Sequence, residues 1–142
     1  GETLSLAAAL ATMNKLQAEP VVETLYRQGE KVLAFLRGYI GELGADDFLA
    51  LSGNPTWSFL LIKDTERYST WELKTLFMQE MLANGILTFG THNMSYAHSD
   101  QDLEKLFSAY RATLPKLVDP VRHGTLQDLL HCKPLEPLFK VR

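Results

Sequence analysis

Along residues 22–40 the apolar positions Val22, Leu25, Tyr26, Gly29, Val32, Leu33, Leu36 and Ile40 recur at steps of three and four, the spacing that lines one face of an α-helix. Pro20 suits a helix start and Gly41 or Gly44 a stop, so the stretch predicts one long amphipathic helix. Ahead of it the chain reads LSLAAALATMNKLQ from Leu4. Strong helix formers with small side chains predict another helix there, able to lie close against a neighbouring surface.

The period changes at Phe48. FLALS and WSFLLIK are rich in branched and aromatic residues and are separated by Gly53-Asn54-Pro55, which predicts a hairpin-like pair of strands within residues 48–63. Because Leu60, Leu61 and Ile62 are apolar on both phases of a strand, the second strand is expected to be central and covered on both faces. Ser69 and Glu72 have the spacing of a capping box and predict a helix from near Thr70 that buries Leu73, Leu76, Phe77 and Met81. Asn84-Gly85 ends it and turns the chain into a predicted strand at residues 86–89. Gly90, Thr91, His92 and Asn93 then read as a polar turn.

Ser99 and Asp102 repeat the capping spacing before Leu103, Leu106, Phe107, Tyr110, Leu114 and Leu117, one apolar stripe on a further helix. After Pro120 the pattern fades into a short helix around residues 125–130 and an extended tail with Pro134 and Pro137. The order of elements describes an α/β (α+β) domain, a small three- to four-stranded mixed or antiparallel sheet covered by helices. Residues 1–142 are expected to form this one domain, with helices in 1–44, the sheet-and-helix core in 45–118 and a surface tail in 119–142. The chain opens at Gly1 almost where its first helix must begin, as if cut from something longer.

Composition narrows the function classes. A net charge of -3, with lysines and arginines scattered and no basic run, argues against nucleic acid as a partner. No apolar stretch approaches the roughly 20 residues that span a bilayer, and the start lacks the layout of a signal peptide, so a cytoplasmic protein without a membrane partner is expected. Cys132 is the only cysteine, which excludes an intrachain disulfide and sites built on paired thiolates. His123 and His131 have only Asp128 and Cys132 near them, a poor metal constellation, and no metal site is expected.

Several residues resemble chemistry. Thr91, His92 and Asn93, beside Gly90, are the substrate-side candidates, since an imidazole and an amide can hydrogen-bond a carboxylate or a sugar hydroxyl, although turns favour such residues for backbone reasons too. Ser95 and His98 precede the helix cap, and the expected role of His98 is structural. Lys15, Lys31, Lys74 and Lys105 sit among polar neighbours, where a solvated charge is expected. Trp57 and Trp71 are expected as core or interface anchors. No residue of the chain stands out as catalytic.

Taken together, the opening GETLSLAAALATM, the long helix, the strand pair, MLANGIL and SYAHSDQDLEKL resemble class III pyridoxal-phosphate aminotransferases, in particular the glutamate-1-semialdehyde aminomutase branch. The match runs from Gly1 to about Leu117 and corresponds to the C-terminal small domain of these fold-type I enzymes, with a departure at residues 90–93. The resemblance implies a homodimeric parent that moves amino groups to or from a small carbonyl substrate. In it, pyridoxal 5'-phosphate is held on a lysine of the large domain and serves as an electron sink. That lysine lies upstream of the matched region, so the resemblance implies that this chain alone binds no cofactor and is inactive. The competing reading is a non-catalytic α/β module that binds a ligand or protein through its sheet or loops.

Overall fold

The computed structural model describes residues 2–137. Helix α1 (Thr3–Ala18) leads into α2 (Val21–Leu43), then strands β1 (Leu49–Asn54) and β2 (Trp57–Ile62), α3 (Thr70–Ala83), β3 (Thr91–Asn93), α4 (Asp100–His123) and the short α5 (Leu126–Leu129). The strands form one antiparallel sheet in the order β1-β2-β3. This is the expected α+β class, with three strands.

Helices α2, α3 and α4 cover one face of the sheet. Val32, Leu36 and Ile40 of α2 meet Leu49 of β1 and Leu60 and Ile62 of β2, and the core continues through Leu73, Leu76, Phe77 and Met81 of α3 to Phe107, Tyr110, Leu114 and Leu117 of α4. The approach of α2 to the hairpin is set by Gly29. A Cβ there would stand 1.7 Å from the Pro55 carbonyl oxygen, so no larger residue fits without moving backbone.

Both capping boxes form. Ser69 and Glu72 exchange hydrogen bonds with each other's backbone at the start of α3, as do Ser99 and Asp102 at the start of α4. Each carboxyl is held below the usual carboxylate range, chiefly by the serine backbone N–H that it accepts.

Five expectations differ from the structure. Residues 86–89 are not a strand; they run irregularly between two left-handed glycines, Gly85 and Gly90, and pairing with β2 begins only at Thr91. Gly90 is the hinge of this change, since its carbonyl accepts the Leu60 N–H at 2.7 Å while a Cβ on it would approach the Leu60 oxygen to 2.8 Å. It follows that Thr91, His92 and Asn93 are not a turn but the third strand.

The second strand is covered on one face only. Leu60 and Ile62 are buried, whereas Leu61 is 43% exposed and points away from every helix. The hairpin turn also falls one residue later than expected, because Asn54 still pairs with Trp57 and its side-chain oxygen accepts the Thr56 N–H.

Finally, α4 does not fade at Pro120 but runs through Pro115 and Pro120 to His123, where left-handed Gly124 caps it. An interior proline costs a helix about 3 kcal/mol, and burying one leucine or valine returns about 1.5–3 kcal/mol. Leu114, Leu117 and Val118 are all buried around these prolines, so packing wins. Moreover, Pro115 leaves the Arg111 carbonyl without its helical donor, and the Tyr39 hydroxyl of α2 supplies one at 3.1 Å.

Helix α1 has no buried residue. Its far end is tethered by Lys15, which pairs with Glu19 and lies 5.3 Å over the Tyr96 ring. The other end of the chain is bound more closely. Residues 126–135 lie against α3, where the Leu135 N–H donates to the Thr75 hydroxyl and the His131 N–H to the Gln79 side chain, which in turn donates to the Leu129 carbonyl.

Candidate functional site

The three substrate-side candidates separate by the alternation of their strand. His92 points inward and is 4% exposed, whereas Thr91 and Asn93 point outward to solvent. The imidazole lies in the middle of a buried polar chain: Nδ1 is 3.1 Å from the Ser58 hydroxyl of β2, and Nε2 is 2.6 Å from the Tyr110 phenol of α4.

Burial pushes the His92 pKa down to about 4 and the Tyr110 pKa up, so both groups are neutral near pH 7. A neutral imidazole has one donor and one acceptor. The short contact suits a phenol O–H donating to Nε2, which places the ring proton on Nδ1, directed at Ser58. Serine, histidine and tyrosine in a row suggest nucleophile activation, but Ser58 and Tyr110 are both fully buried and no substrate reaches them. The chain joins β2, β3 and α4 and acts structurally.

Sequence reasoning did not find Ser58 or pair it with Tyr110. The available signal was phase: Ser58 falls in register with Leu60 and Ile62, the buried side of β2. A polar residue in that phase requires a buried partner.

A cleft of about 310 Å³ runs beside β3 towards the start of α4, lined by Leu87, Thr91, His92, Asn93, His98 and Lys105 among others. Nδ1 of His98 accepts the Ser95 N–H at 3.2 Å, and its carbonyl accepts the buried Gln28 amide, so this histidine also fastens a loop. A neutral ring so placed carries its proton on Nε2. Asp102, which shares the cleft, is engaged in its cap.

A cofactor aldehyde requires a lysine whose ammonium gives up its proton readily, through burial or a neighbouring cation. Among the described residues no lysine is buried: Lys15, Lys31, Lys63, Lys105, Lys116 and Lys133 are exposed and Lys74 is half-buried. Lys15 moves the wrong way, since its hydrogen bond to Glu19 raises its pKa. Lys31 and Lys116 are paired with Asp100 and Glu80. The described lysines do not fit a Schiff-base site for pyridoxal phosphate. Among the described residues no helix is long and apolar enough to cross a membrane.

No protein-family model matches the chain, and no curated protein does. Two solved structures share its fold. A transaminase with PLP bound overlaps 70% of this chain and 24% of its own length, at 19% identity and a TM-score of 0.61. The Sphingopyxis sp. MTA144 FumI protein, in its PLP internal aldimine form, overlaps 90% of this chain and 28% of its own, at 22% identity and a TM-score of 0.63. The chain therefore spans about a quarter of each of the proteins whose fold it shares.

Proposed function

We propose that the chain is the small domain of a pyridoxal-phosphate-dependent aminotransferase or aminomutase, of the glutamate-1-semialdehyde aminomutase type, in which the catalytic lysine belongs to a larger domain. The observation that carries this reading is the overlap of 90% of the chain with about a quarter of a protein recorded in its PLP internal aldimine form. The exposed lysines are compatible with it, since none of those described has the burial that a Schiff-base lysine requires. In this role the chain contributes shape. The buried Ser58–His92–Tyr110 chain holds β3 rigid, so that the outward Thr91 and Asn93 can border the route taken by a small amino or keto substrate. The parent is read as a cytoplasmic homodimer.

The test uses the product of the complete reading frame. Purified, it should carry pyridoxal phosphate in stoichiometric amount on a lysine outside residues 1–142, found by borohydride trapping and peptide mass, and should move an amino group between donor and carbonyl substrates. A complete product without cofactor would refute the reading, as would a stoichiometric adduct on one of the lysines described above. Conversion of glutamate-1-semialdehyde without an external donor distinguishes the aminomutase from the transaminase.

A further inference from the structure

The cleft beside β3 is bordered by main chain that the sheet leaves unpaired. Met94 donates its N–H to the Thr56 carbonyl and Leu60 its N–H to the Gly90 carbonyl, so the ladder between β2 and β3 bonds residues 90, 92 and 94. Antiparallel strands alternate bonded and non-bonded pairs, which turns the peptide groups of Thr91 and Asn93 to the opposite edge. There the Thr91 carbonyl accepts from the Thr88 hydroxyl, part of the cleft wall, at 3.4 Å. The Thr91 and Asn93 N–H groups are thus donors facing the cleft, about 7 Å apart at the strand rise.

Two side chains add donors. The four ion pairs among the described residues do not include Lys105, whose ammonium stands so near Gly85 that a Cβ there would be 3.8 Å from Nζ. His98 offers its Nε2–H, because Nδ1 accepts the Ser95 N–H. The carboxylate that lines the cleft, Asp102, has one oxygen committed to the Ser99 N–H and hydroxyl, both at 2.7 Å. Apolar wall is supplied by Leu103, which is buried, and by Ile86 and Leu106, which pack on the core. Both sides are fixed in advance: His92 anchors β3 to Ser58 and Tyr110, and the Gln28 amide holds the His98 carbonyl at 2.6 Å.

We propose that this cleft binds a small acid with a single carboxylate and a short aliphatic chain. The carboxylate accepts from Lys105, from His98 Nε2 and from one of the two edge N–H groups, and the aliphatic part lies on Leu103 and Leu106. One ammonium beside one engaged carboxylate leaves little net charge, so a dianion such as phosphate gains less there than a monoanion whose carbons are also buried. At about 310 Å³ the cleft admits an acid of about six carbons. The proposal names the substrate class for the route bordered by Thr91 and Asn93, and for the ligand's origin it rests on that reading; binding itself is a property of the 142-residue chain.

Hexanoate is the probe, titrated into the nitrogen-15-labelled chain to about 50 mM at constant pH and ionic strength and followed by amide NMR shifts. Saturable shifts should centre on Thr91, Asn93 and residues 98–106, with a dissociation constant on the order of 1 mM for a ligand of this size. Neutral hexanamide and inorganic phosphate should each bind about tenfold more weakly. Lys105→Met, at an exposed site, should weaken hexanoate about tenfold, and His98→Asn, which keeps an acceptor for the Ser95 N–H, about threefold. Lys116→Gln, paired with Glu80 outside the cleft, should leave the affinity unchanged. Shifts that do not saturate or that centre elsewhere overturn the proposal. So does equal binding of hexanamide or phosphate, or a Lys105→Met chain that binds like wild type. None of these readings uses the cofactor, so their failure is separate from a complete product that lacks pyridoxal phosphate.

Discussion

Lowering the pH should loosen this protein before most of its carboxylates are neutralised, and His92 is the reason. In the fold its pKa is about 4, because burial between β2, β3 and α4 opposes the charged ring, while the unfolded chain restores it to 6.5. Above pH 6.5 neither state binds the proton and the stability is intact. Between 6.5 and 4 the unfolded chain takes up a proton that the folded chain refuses, so stability falls as the pH falls; below 4 both are protonated and the loss is complete. The slope inside the window is about 1.4 kcal/mol per pH unit, and the full effect about 3 kcal/mol. From pH 7.5 to 5.0 the expected loss is about 2 kcal/mol. Urea unfolding at the two pH values measures it. His92→Gln, which keeps a polar side chain but cannot titrate, should be less stable than wild type at pH 7.5 yet lose about 2 kcal/mol less on acidification. Equal losses in the two proteins would refute the account of His92 as a buried neutral base.

Other substitutions test the packing. Gly29→Ala should destabilise by more than about 2 kcal/mol in urea unfolding despite the better helix propensity of alanine, because its Cβ meets the Pro55 carbonyl. Gly38→Ala in the same helix, where nothing lies within 4 Å, should stabilise by about 0.5–1 kcal/mol. Tyr39→Phe should cost about 1 kcal/mol by thermal unfolding, since the Arg111 carbonyl released by Pro115 loses its donor.

What could be read from the chain was what neighbouring residues decide. The starts of α3 and α4 follow from serines and acids three positions apart, and their hydrogen bonds form within one turn. The long stripe of α2 is equally local, and its buried residues include Val32, Leu33, Leu36 and Ile40. The third strand was misplaced because residues 86–89 are apolar and Thr91, His92 and Asn93 are polar, whereas pairing is decided by partners 34 and 18 residues from His92. The bare face of β2 was hidden for a similar reason. Leu61 matches its neighbours in hydropathy, and only the absence of a helix on that side distinguishes it. The run of α4 past Pro120 was not legible because it depends on packing of Leu117 and Val118 against elements far earlier in the chain. Of the substrate-side candidates, the outward direction of Thr91 and Asn93 became legible only once their strand was known.

The C-terminal clasp also shapes how this chain can change over time. The amides of His131 and Leu135 and the carbonyl of Leu129 are held by side chains of Thr75 and Gln79, so at these three positions the tail contributes backbone and α3 contributes identity. Substitutions at the other tail positions should therefore drift more freely than at buried Leu126, at Leu130, which packs on the core, or at Gln127, whose amide donates to Glu72, while Thr75 and Gln79 resist replacement. Diversity in a set of natural variants would then collect at residues 131–135 and be absent from the two α3 positions that hold them.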